Sequence, residues 1–220
     1  MLDVKGNIIY FRMKRILFIV LLCLTITLKI DAQNPLRSNL RANSLEIGFV
    51  RSSIKQDLMP NLKNYYGLNL AINRYFPFNK YLINDIFSWG LNVVWLDAEL
   101  SQYKLRYYLN YWEGITDFER ADLGIAFGPS IKIGSSEKFN GHIYANYSPS
   151  YVLLHQMGTW SSCFESKIIV GGAISYKWIS FGVKYKLGVG LLNEIEVLEK
   201  SDNKISSKFK SIIYYLSFNF

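Results

Sequence analysis

The chain has 220 residues, of which 50% are hydrophobic, 16% aromatic and 19% charged, and its formal net charge is +8. This length accommodates one substantial domain and does not require two. The basic residues are scattered and form no run that could follow a phosphate backbone, so nucleic acid is not an expected partner.

The N-terminus has the features of an export signal. Lys14 and Arg15 precede an apolar run over 16–28, and Ala32 supplies a small residue for cleavage. The apolar run is shorter than the roughly 20 residues that a transmembrane helix needs. We therefore predict a cleaved signal peptide over 1–32.

Met13 is an alternative start, because the residues before it add nothing that a signal requires. Removal of the signal takes away five basic and two acidic residues and leaves a formal charge of +5. Only Cys163 then remains, so the exported chain has no internal disulfide. We predict an N-terminal lead over 33–43 and a single folded domain over 44–220.

Eight segments of this domain alternate large apolar residues with small or polar ones, at the two-residue period of a β-strand. The sixth is the least regular, because Ile169 places an apolar side chain on the otherwise small and polar face. The segments cover 45–49, 67–73, 88–95, 122–128, 142–148, 168–174, 180–187 and 212–220.

The alternation predicts an all-β fold, an eight-stranded antiparallel up-and-down transmembrane β-barrel. The exported part contains no apolar stretch of 18 residues, which excludes membrane-spanning helices and leaves strands as the spanning element. In a membrane the apolar face lies on lipid, and Gly, Ser, Asn and charged residues lie inside. An eight-stranded interior is just wide enough to be filled by such side chains.

The predicted connections alternate in length, which is typical of barrels with long extracellular loops and short periplasmic turns. The long ones cover 52–64, 98–119, 151–166 and 191–208, and the shorter ones cover 76–85, 134–139 and 177–178.

The last strand and two internal motifs resemble a known group of proteins. The chain closes on Tyr-Tyr-Leu-Ser-Phe-Asn-Phe over 214–220, and it carries Gly-Pro at 128–129 and Tyr-Ser-Pro-Ser-Tyr at 147–151. In these features it resembles the small OmpX-like and PorT-like outer-membrane barrels (porin-family barrels) of Bacteroidota and other Gram-negative bacteria. The resemblance implies location in the cell outer membrane, contact with its lipid and lipopolysaccharide, and an insertion signal read by the barrel-insertion machinery. The matching residues are Phe220, Phe218 and Tyr214.

Four charged residues fall on the predicted inward face: Glu46, Asp122, Lys184 and Lys186. Unpaired burial of a charge is costly, so we expect these carboxylates and ammonium groups to pair across the lumen. Such a network either fills the barrel structurally or forms an electrostatic gate on a narrow ion path.

The two histidines, His142 and His155, raise the alternative of an outer-membrane lipid-modifying enzyme that uses a Ser-His-acid set. His142 is predicted to face inward, and His155 is predicted to lie in an outer loop. Neither stands beside a nucleophile on a lipid-facing position, so we predict no enzymatic activity, no catalytic residues, no metal site and no cofactor.

The segment 98–119 combines tyrosines, a tryptophan and basic residues, the types that dominate protein interfaces. It predicts a loop interaction surface for a protein partner, and the alternative is that strands three and four extend past the membrane as a hairpin. The residues of this surface are Tyr103, Arg106, Tyr107, Tyr108, Tyr111 and Trp112.

Together these features predict a non-enzymatic integral outer-membrane barrel with a structural, adhesion or export and assembly role. Two alternatives stay open: the lipid-modifying enzyme, acting on the acyl chains of lipid A, and a soluble periplasmic lipocalin-like ligand binder with an apolar interior.

Overall fold

The computed structural model describes residues 43–56, 62–78, 87–109, 112–136, 139–156, 159–193 and 204–220. These ranges contain the eight predicted strands. The strands are β1 (Asn43–Gln56), β2 (Leu62–Pro77), β3 (Phe87–Leu109), β4 (Trp112–Ser136), β5 (Phe139–Gln156), β6 (Thr159–Tyr176), β7 (Ile179–Asn193) and β8 (Lys204–Asn219). The predicted signal peptide and all of the predicted lead except Asn43 lie outside the described residues.

Every strand pairs with its neighbours in the chain, and β1 also pairs with β8, so the sheet closes on itself. All the pairs are antiparallel, which confirms the predicted up-and-down barrel. The barrel forms one compact unit, Ala42–Asn219. We call the end that carries Asn43 and Asn219 the proximal end and the opposite end the distal end.

The two faces of the barrel wall have opposite polarity, and the apolar face is outside, as predicted. Trp95, Ile143 and Phe181 are each more than half exposed, whereas the inward positions carry mainly serine, asparagine, glycine and charged residues. A water-soluble barrel has the reverse arrangement. In the ranges that the structure describes, no helix is long and apolar enough to cross a membrane.

The strands are longer than predicted, and the predicted alternation of long and short connections is wrong. Most of 98–119 and of 151–166 is strand, so only two residues separate β3 from β4 and β5 from β6. The prediction ended the strands where polar residues replaced the apolar outward ones. Pairing continues past that point, because a strand end beyond the lipid can carry polar side chains outside.

The β3–β4 hairpin projects beyond the rest of the barrel at the distal end. The last pair between β2 and β3 is Asn64 with Tyr103, and the first pair between β4 and β5 is Phe118 with Gln156. Residues 104–109 and 112–117 therefore pair only with each other. At about 3.4 Å per residue the two-stranded ribbon extends roughly 20 Å. The segment is therefore the extended hairpin of strands three and four that was the alternative prediction.

A β-bulge in β3 changes which residues face inward. Ile72 pairs with Leu96 and Asn73 with Val94, so Trp95 is an extra residue without a partner on β2. Such a bulge shifts the alternation by one residue. Trp95 is exposed outside, Asp97 is buried inside, and every later inward position of β3 follows from this shift.

Glycines in β6 and β7 make room for two tyrosine rings inside the barrel. A Cβ atom on Gly171 would lie 2.6 Å from Cζ of Tyr144, and one on Gly182 would collide with the ring of Tyr215. The two hydroxyl groups are 3.3 Å apart. The absence of a side chain at these two glycines therefore allows a buried tyrosine pair.

Candidate functional site

A network of five charged side chains crosses the middle of the interior. Glu46 on β1, Asp97 and Glu99 on β3, and Lys184 and Lys186 on β7 are all almost completely buried. Lys184 Nζ lies 2.8 Å from Glu46 Oε2 and 3.9 Å from Asp97 Oδ1. Lys186 Nζ lies 2.7 Å from Asp97 Oδ2 and 3.1 Å from Glu99 Oε2. We call these five residues the cross-lumen network.

This network connects opposite walls of the barrel. In the closed order β1 to β8, β3 and β7 are four strands apart, which is the greatest separation that eight strands allow. The ion pairs of Lys186 with Asp97 and Glu99 therefore extend across the full width of the lumen. Asn69 Nδ2 donates to Asp97 Oδ1 at 2.7 Å, and Asn73 Nδ2 donates to Glu46 Oε1.

A second network lies along one side of the interior, between β4 and β6. Arg120 donates to both carboxylate oxygens of Glu165, at 2.9 and 2.7 Å, and to Asp122 at 3.0 Å. Lys167 pairs with Asp122 and lies 3.6 Å from Glu165. We call these four residues the wall network. The paired contacts of Arg120 with Glu165 are the bidentate geometry that guanidinium groups form with carboxylates.

An apolar plug fills the interior on the distal side of the wall network. The ring of Phe209 lies 4.0 Å from Arg120 Cζ, and the rings of Tyr103 and Phe118 are 5.7 Å apart. Tyr103 also places its hydroxyl 2.6 Å from Ser52 Oγ. The plug consists of Ile54, Leu62, Tyr103, Phe118, Val152, Leu154 and Phe209. It separates the ion pairs from the distal end of the barrel, which strengthens them by keeping the local dielectric low.

The tyrosine pair borders the cross-lumen network on its proximal side. Lys184 Nζ lies 5.4 Å from the centroid of the Tyr215 ring. His142 packs edge-on against Tyr75, with centroids 5.8 Å apart, and lies 5.2 Å from Tyr144. The interior is therefore occupied along its length by rings, ion pairs and apolar side chains, in that order from the proximal end.

The structure places the four predicted lumen charges inside the barrel and pairs each of them. The predicted set of four inward charges is incomplete, because five more take part in the two networks. The bulge at Trp95 turns Asp97 inward, although the alternation of the β3 residues before the bulge would place it outside. Glu99 and Glu165 were assigned to connections, and Arg120 and Lys167 stand where the predicted fourth and sixth strands had not begun. The five are Asp97, Glu99, Arg120, Glu165 and Lys167.

The prediction that Tyr103 belongs to the loop interaction surface is wrong. It is completely buried in the plug, because inward alternation in β3 continues to this residue. Arg106, Tyr107 and Tyr108 lie on β3 within the projecting ribbon, and Trp112 begins β4. Tyr111 lies outside the described residues.

The two histidines are far from forming a catalytic set. His142 is enclosed by aromatic rings inside the barrel. His155 belongs to β5 and not to an outer loop; it stacks on Trp160 and its Nδ1 lies 3.5 Å from Glu119 Oε2. In the part of the chain that the structure describes, neither histidine is hydrogen-bonded to a hydroxyl group. Within the same ranges, no group of three His, Cys, Asp or Glu side chains could hold a metal ion.

The predicted insertion signal falls on the outward face of the last strand. Tyr214 is 46% exposed and shares this face with Ile212 and Leu216. Phe218 is partly exposed and stacks on Trp178, with ring centroids 5.9 Å apart. Phe220 follows the last residue of β8.

Strand pairing and interior together define a closed eight-stranded barrel with an apolar exterior and a filled, ion-paired lumen. No protein-family model matches the chain, and no curated protein matches it.

Several solved structures are similar. Ail, the attachment invasion locus protein of Yersinia pestis, is 14% identical with a TM-score of 0.42, over 82% of this chain and all of that one. Neisserial surface protein A is 14% identical with a TM-score of 0.45, over 81% of this chain and 97% of that one. The outer membrane protein OprG from Pseudomonas aeruginosa is 10% identical with a TM-score of 0.33, over 81% of this chain and 96% of that one.

Proposed function

We propose that this chain is an integral outer-membrane β-barrel that does not conduct ions and that has a structural, adhesion or export and assembly role. The observation that carries the proposal is the reversed polarity of the barrel, with apolar side chains outside and two ion-paired networks inside.

The exterior supports the membrane location. Among the residues whose side chains the structure describes, the outward-facing acids are Asp117 and Glu119, both at the distal end of β4. The outward face between them and the proximal end presents large apolar side chains on all eight strands. Contact of so large an apolar surface with water is unfavourable, and lipid removes that cost. The same polarity disfavours a soluble lipocalin-like binder, whose interior is apolar.

The membrane location is tested by fractionation of cells that express the full chain, followed by electrophoresis with and without heating. We expect the protein in the outer-membrane fraction, and we expect unheated samples to migrate differently from boiled ones because the closed barrel survives the detergent. A protein that stays soluble without detergent would overturn the proposal.

The absence of conduction follows from the cross-lumen network and the plug, which together obstruct the interior. Purified protein in planar lipid bilayers should show no steady ionic current. The double variant Lys184→Ala, Lys186→Ala removes both cations that link β3 to β7 and should raise the frequency of open events. The outward variant Arg74→Ala is the control. A steady current through the wild-type protein would contradict the structural role of the network.

We assign the interaction role to the projecting ribbon, residues 104–117. It extends beyond all other strand pairs, and it carries the predicted surface residues other than Tyr103. Replacement of 105–116 by an Asn-Gly turn keeps Tyr103 and Phe118 in the plug and removes the ribbon. We expect normal heat-modifiable mobility but loss of cell attachment or of protein export in the source strain. Unchanged attachment and export would remove this role.

The insertion signal is tested at the last residue. Deletion of Phe220 should lower the amount of barrel assembled in the outer membrane, because the terminal aromatic residue is the one that the insertion machinery is expected to bind. Substitution by Tyr retains an aromatic ring and serves as the control. Normal assembly of the deletion variant would count against the signal.

A further inference from the structure

Five basic side chains form a cluster on the outer wall at the distal end of three adjacent strands. They are Arg51 and Lys55 on β1, Lys63 on β2, and Lys208 and Lys210 on β8, and all five are exposed. We call them the basic patch.

The strand register brings these charges together. Ser53 pairs with Lys63 on one side and with Lys210 on the other, and Lys55 pairs directly with Lys208. Like charges in directly opposed cross-strand positions are destabilising. On β7, β8, β1 and β2 no described outward-facing residue is acidic, and none of the five forms an ion pair with a described residue. The arrangement therefore favours binding of an anion.

The patch lies directly above the apolar band. The next outward residues toward the barrel centre are Phe49 on β1, Tyr65 on β2 and Ile212 on β8, all exposed. Arg51 and Lys55 are about 13 Å apart along the strand, at roughly 3.3 Å per residue. This height corresponds to the headgroup layer of a membrane whose hydrocarbon contacts the band.

The adjoining strands β3 to β5 have a different chemistry at the same height. Lys104 on β3 is exposed but stands opposite Asp117 of β4 in the register. Gln102 donates to Glu119 Oε1 at 3.0 Å, and Glu119 Oε2 lies 3.5 Å from His155 Nδ1. Among the described residues at this height, clustered basic side chains without a facing acid are therefore confined to β8, β1 and β2.

We propose that the basic patch binds the phosphate groups of an anionic glycolipid in the outer leaflet. The inference rests on the proposed membrane location, with the distal end outside the cell. A membrane lipid is the occupant because the patch is on the lateral wall and continuous with the lipid-facing band. A soluble polyanion would instead approach the barrel from above. Ammonium and guanidinium groups near a membrane surface each add to the binding of anionic lipid.

The experiment measures lipid retained by the purified full chain after extraction from phosphatidylcholine vesicles. One set of vesicles contains a minor fraction of diphosphoryl lipid A, and the other contains the same fraction of dephosphorylated lipid A. Native mass spectrometry counts the bound lipids. We expect the wild-type protein to retain the diphosphoryl form about tenfold more often. The variant Lys55→Gln, Lys208→Gln, Lys210→Gln should lose this preference.

Two matched variants control for charge and for position. Arg74→Gln removes an outward-facing basic residue of β2 at the proximal end and should leave retention unchanged. The variant Lys55→Arg, Lys208→Arg, Lys210→Arg keeps the charges and should retain the lipid. Heat-modifiable mobility of each protein shows separately that the barrel has folded, so a failure of membrane location is distinguished from a failure of lipid binding.

Two outcomes would overturn the proposal. The first is equal retention of both lipids by the wild-type protein, which is decisive even if a variant fails to fold. The second is binding of a soluble sulfated glycan that depends on the patch while lipid retention does not.

Discussion

The two ion-paired networks inside the barrel compensate their buried charges in different ways. The wall network has two basic and two acidic groups, and each carboxylate contacts a cation on its own or a nearby strand. The cross-lumen network has three carboxylates and two ammonium groups, and it extends between opposite walls. There the amide group of Asn69 donates to Asp97, which both lysines contact, and that of Asn73 donates to Glu46, which Lys184 contacts.

The difference indicates a division of roles. Arg120 anchors a compact cluster beneath the plug, where a single guanidinium contacts two carboxylates and a phenyl ring. The two lysines of β7 reach across the lumen and divide the cross-lumen contacts between them, two carboxylates each. Arg120 alone donates three hydrogen bonds of the wall network. The loss of Arg120 therefore removes more contacts than the loss of either lysine, and the cross-lumen network is the one that obstructs the lumen.

The largest effect should come from Arg120→Ala. It leaves Glu165 and Asp122 buried with only Lys167 as a cation, and removal of one partner of a buried ion pair costs about 3–5 kcal/mol. The free energy of unfolding in detergent micelles, followed by urea titration, measures the loss. Arg74→Ala on the outer face is the control. A loss of under about 1 kcal/mol would remove the distinction between the networks.

Lys186→Ala should have a smaller effect, about 2–3 kcal/mol, because it removes two contacts and Lys184 remains within reach of Asp97, although Glu99 loses its described cation. The same urea titration compares it with Arg120→Ala. If the two variants lose equal stability, the lysines do not share Asp97 as the distances indicate. Equal stability of Lys186→Ala and the wild-type protein would mean that the cross-lumen contacts contribute nothing.

Gly171→Val tests the tyrosine pair that borders the cross-lumen network. A side chain at this glycine meets the ring of Tyr144, and overpacking of a filled interior costs about 1–3 kcal/mol. At Gly141 the nearest atom to an added Cβ is 3.7 Å away, so Gly141→Ala should have little effect. The midpoint temperature of the heat-modifiable mobility shift compares the two variants, and equal midpoints would contradict a tightly packed pair.

Tyr103→Phe should have the smallest effect, about 1 kcal/mol, because it removes one buried hydrogen bond to Ser52 and keeps the ring in the plug. Tyr65→Phe removes a hydroxyl from an exposed contact with Gln102 and should be near neutral. Urea titration of both variants provides the comparison. If Tyr103→Phe left the stability unchanged, the hydroxyl group would make no net contribution, as expected for a group that contacts water.

The strand count and the orientation of each face could be predicted from the sequence because alternation is a local signal. Residues such as Phe181, Val183 and Tyr185 share a face whatever the rest of the chain does. The same signal correctly placed Glu46 and Lys184 inside. Which charges pair with one another could not be predicted, since the paired residues stand on strands far apart in the sequence.

The remaining charges of the site could not be predicted, for two physical reasons. Asp97 follows a bulge, and a bulge is determined by pairing with the neighbouring strand and not by the local pattern. Glu99, Arg120 and Glu165 stand where outward residues become polar, so the segment has the composition of a loop. A search for inward charges beyond the apolar part of each strand would have found these three.

The bulge at Trp95 also determines which changes of chain length β3 can accept. Deletion of that one residue would leave Val94 opposite Ala126, Leu96 opposite Ile125 and Asp97 opposite Gly124, which is a regular ladder. Asp97, Glu99 and Tyr103 would still face the lumen. Straightening of the bulge with Trp95 retained would instead turn these three residues to lipid and bring Leu96 and Leu100 into the lumen. Related sequences should therefore tolerate replacement or loss of the residue at this position, but not a regular strand of the same length.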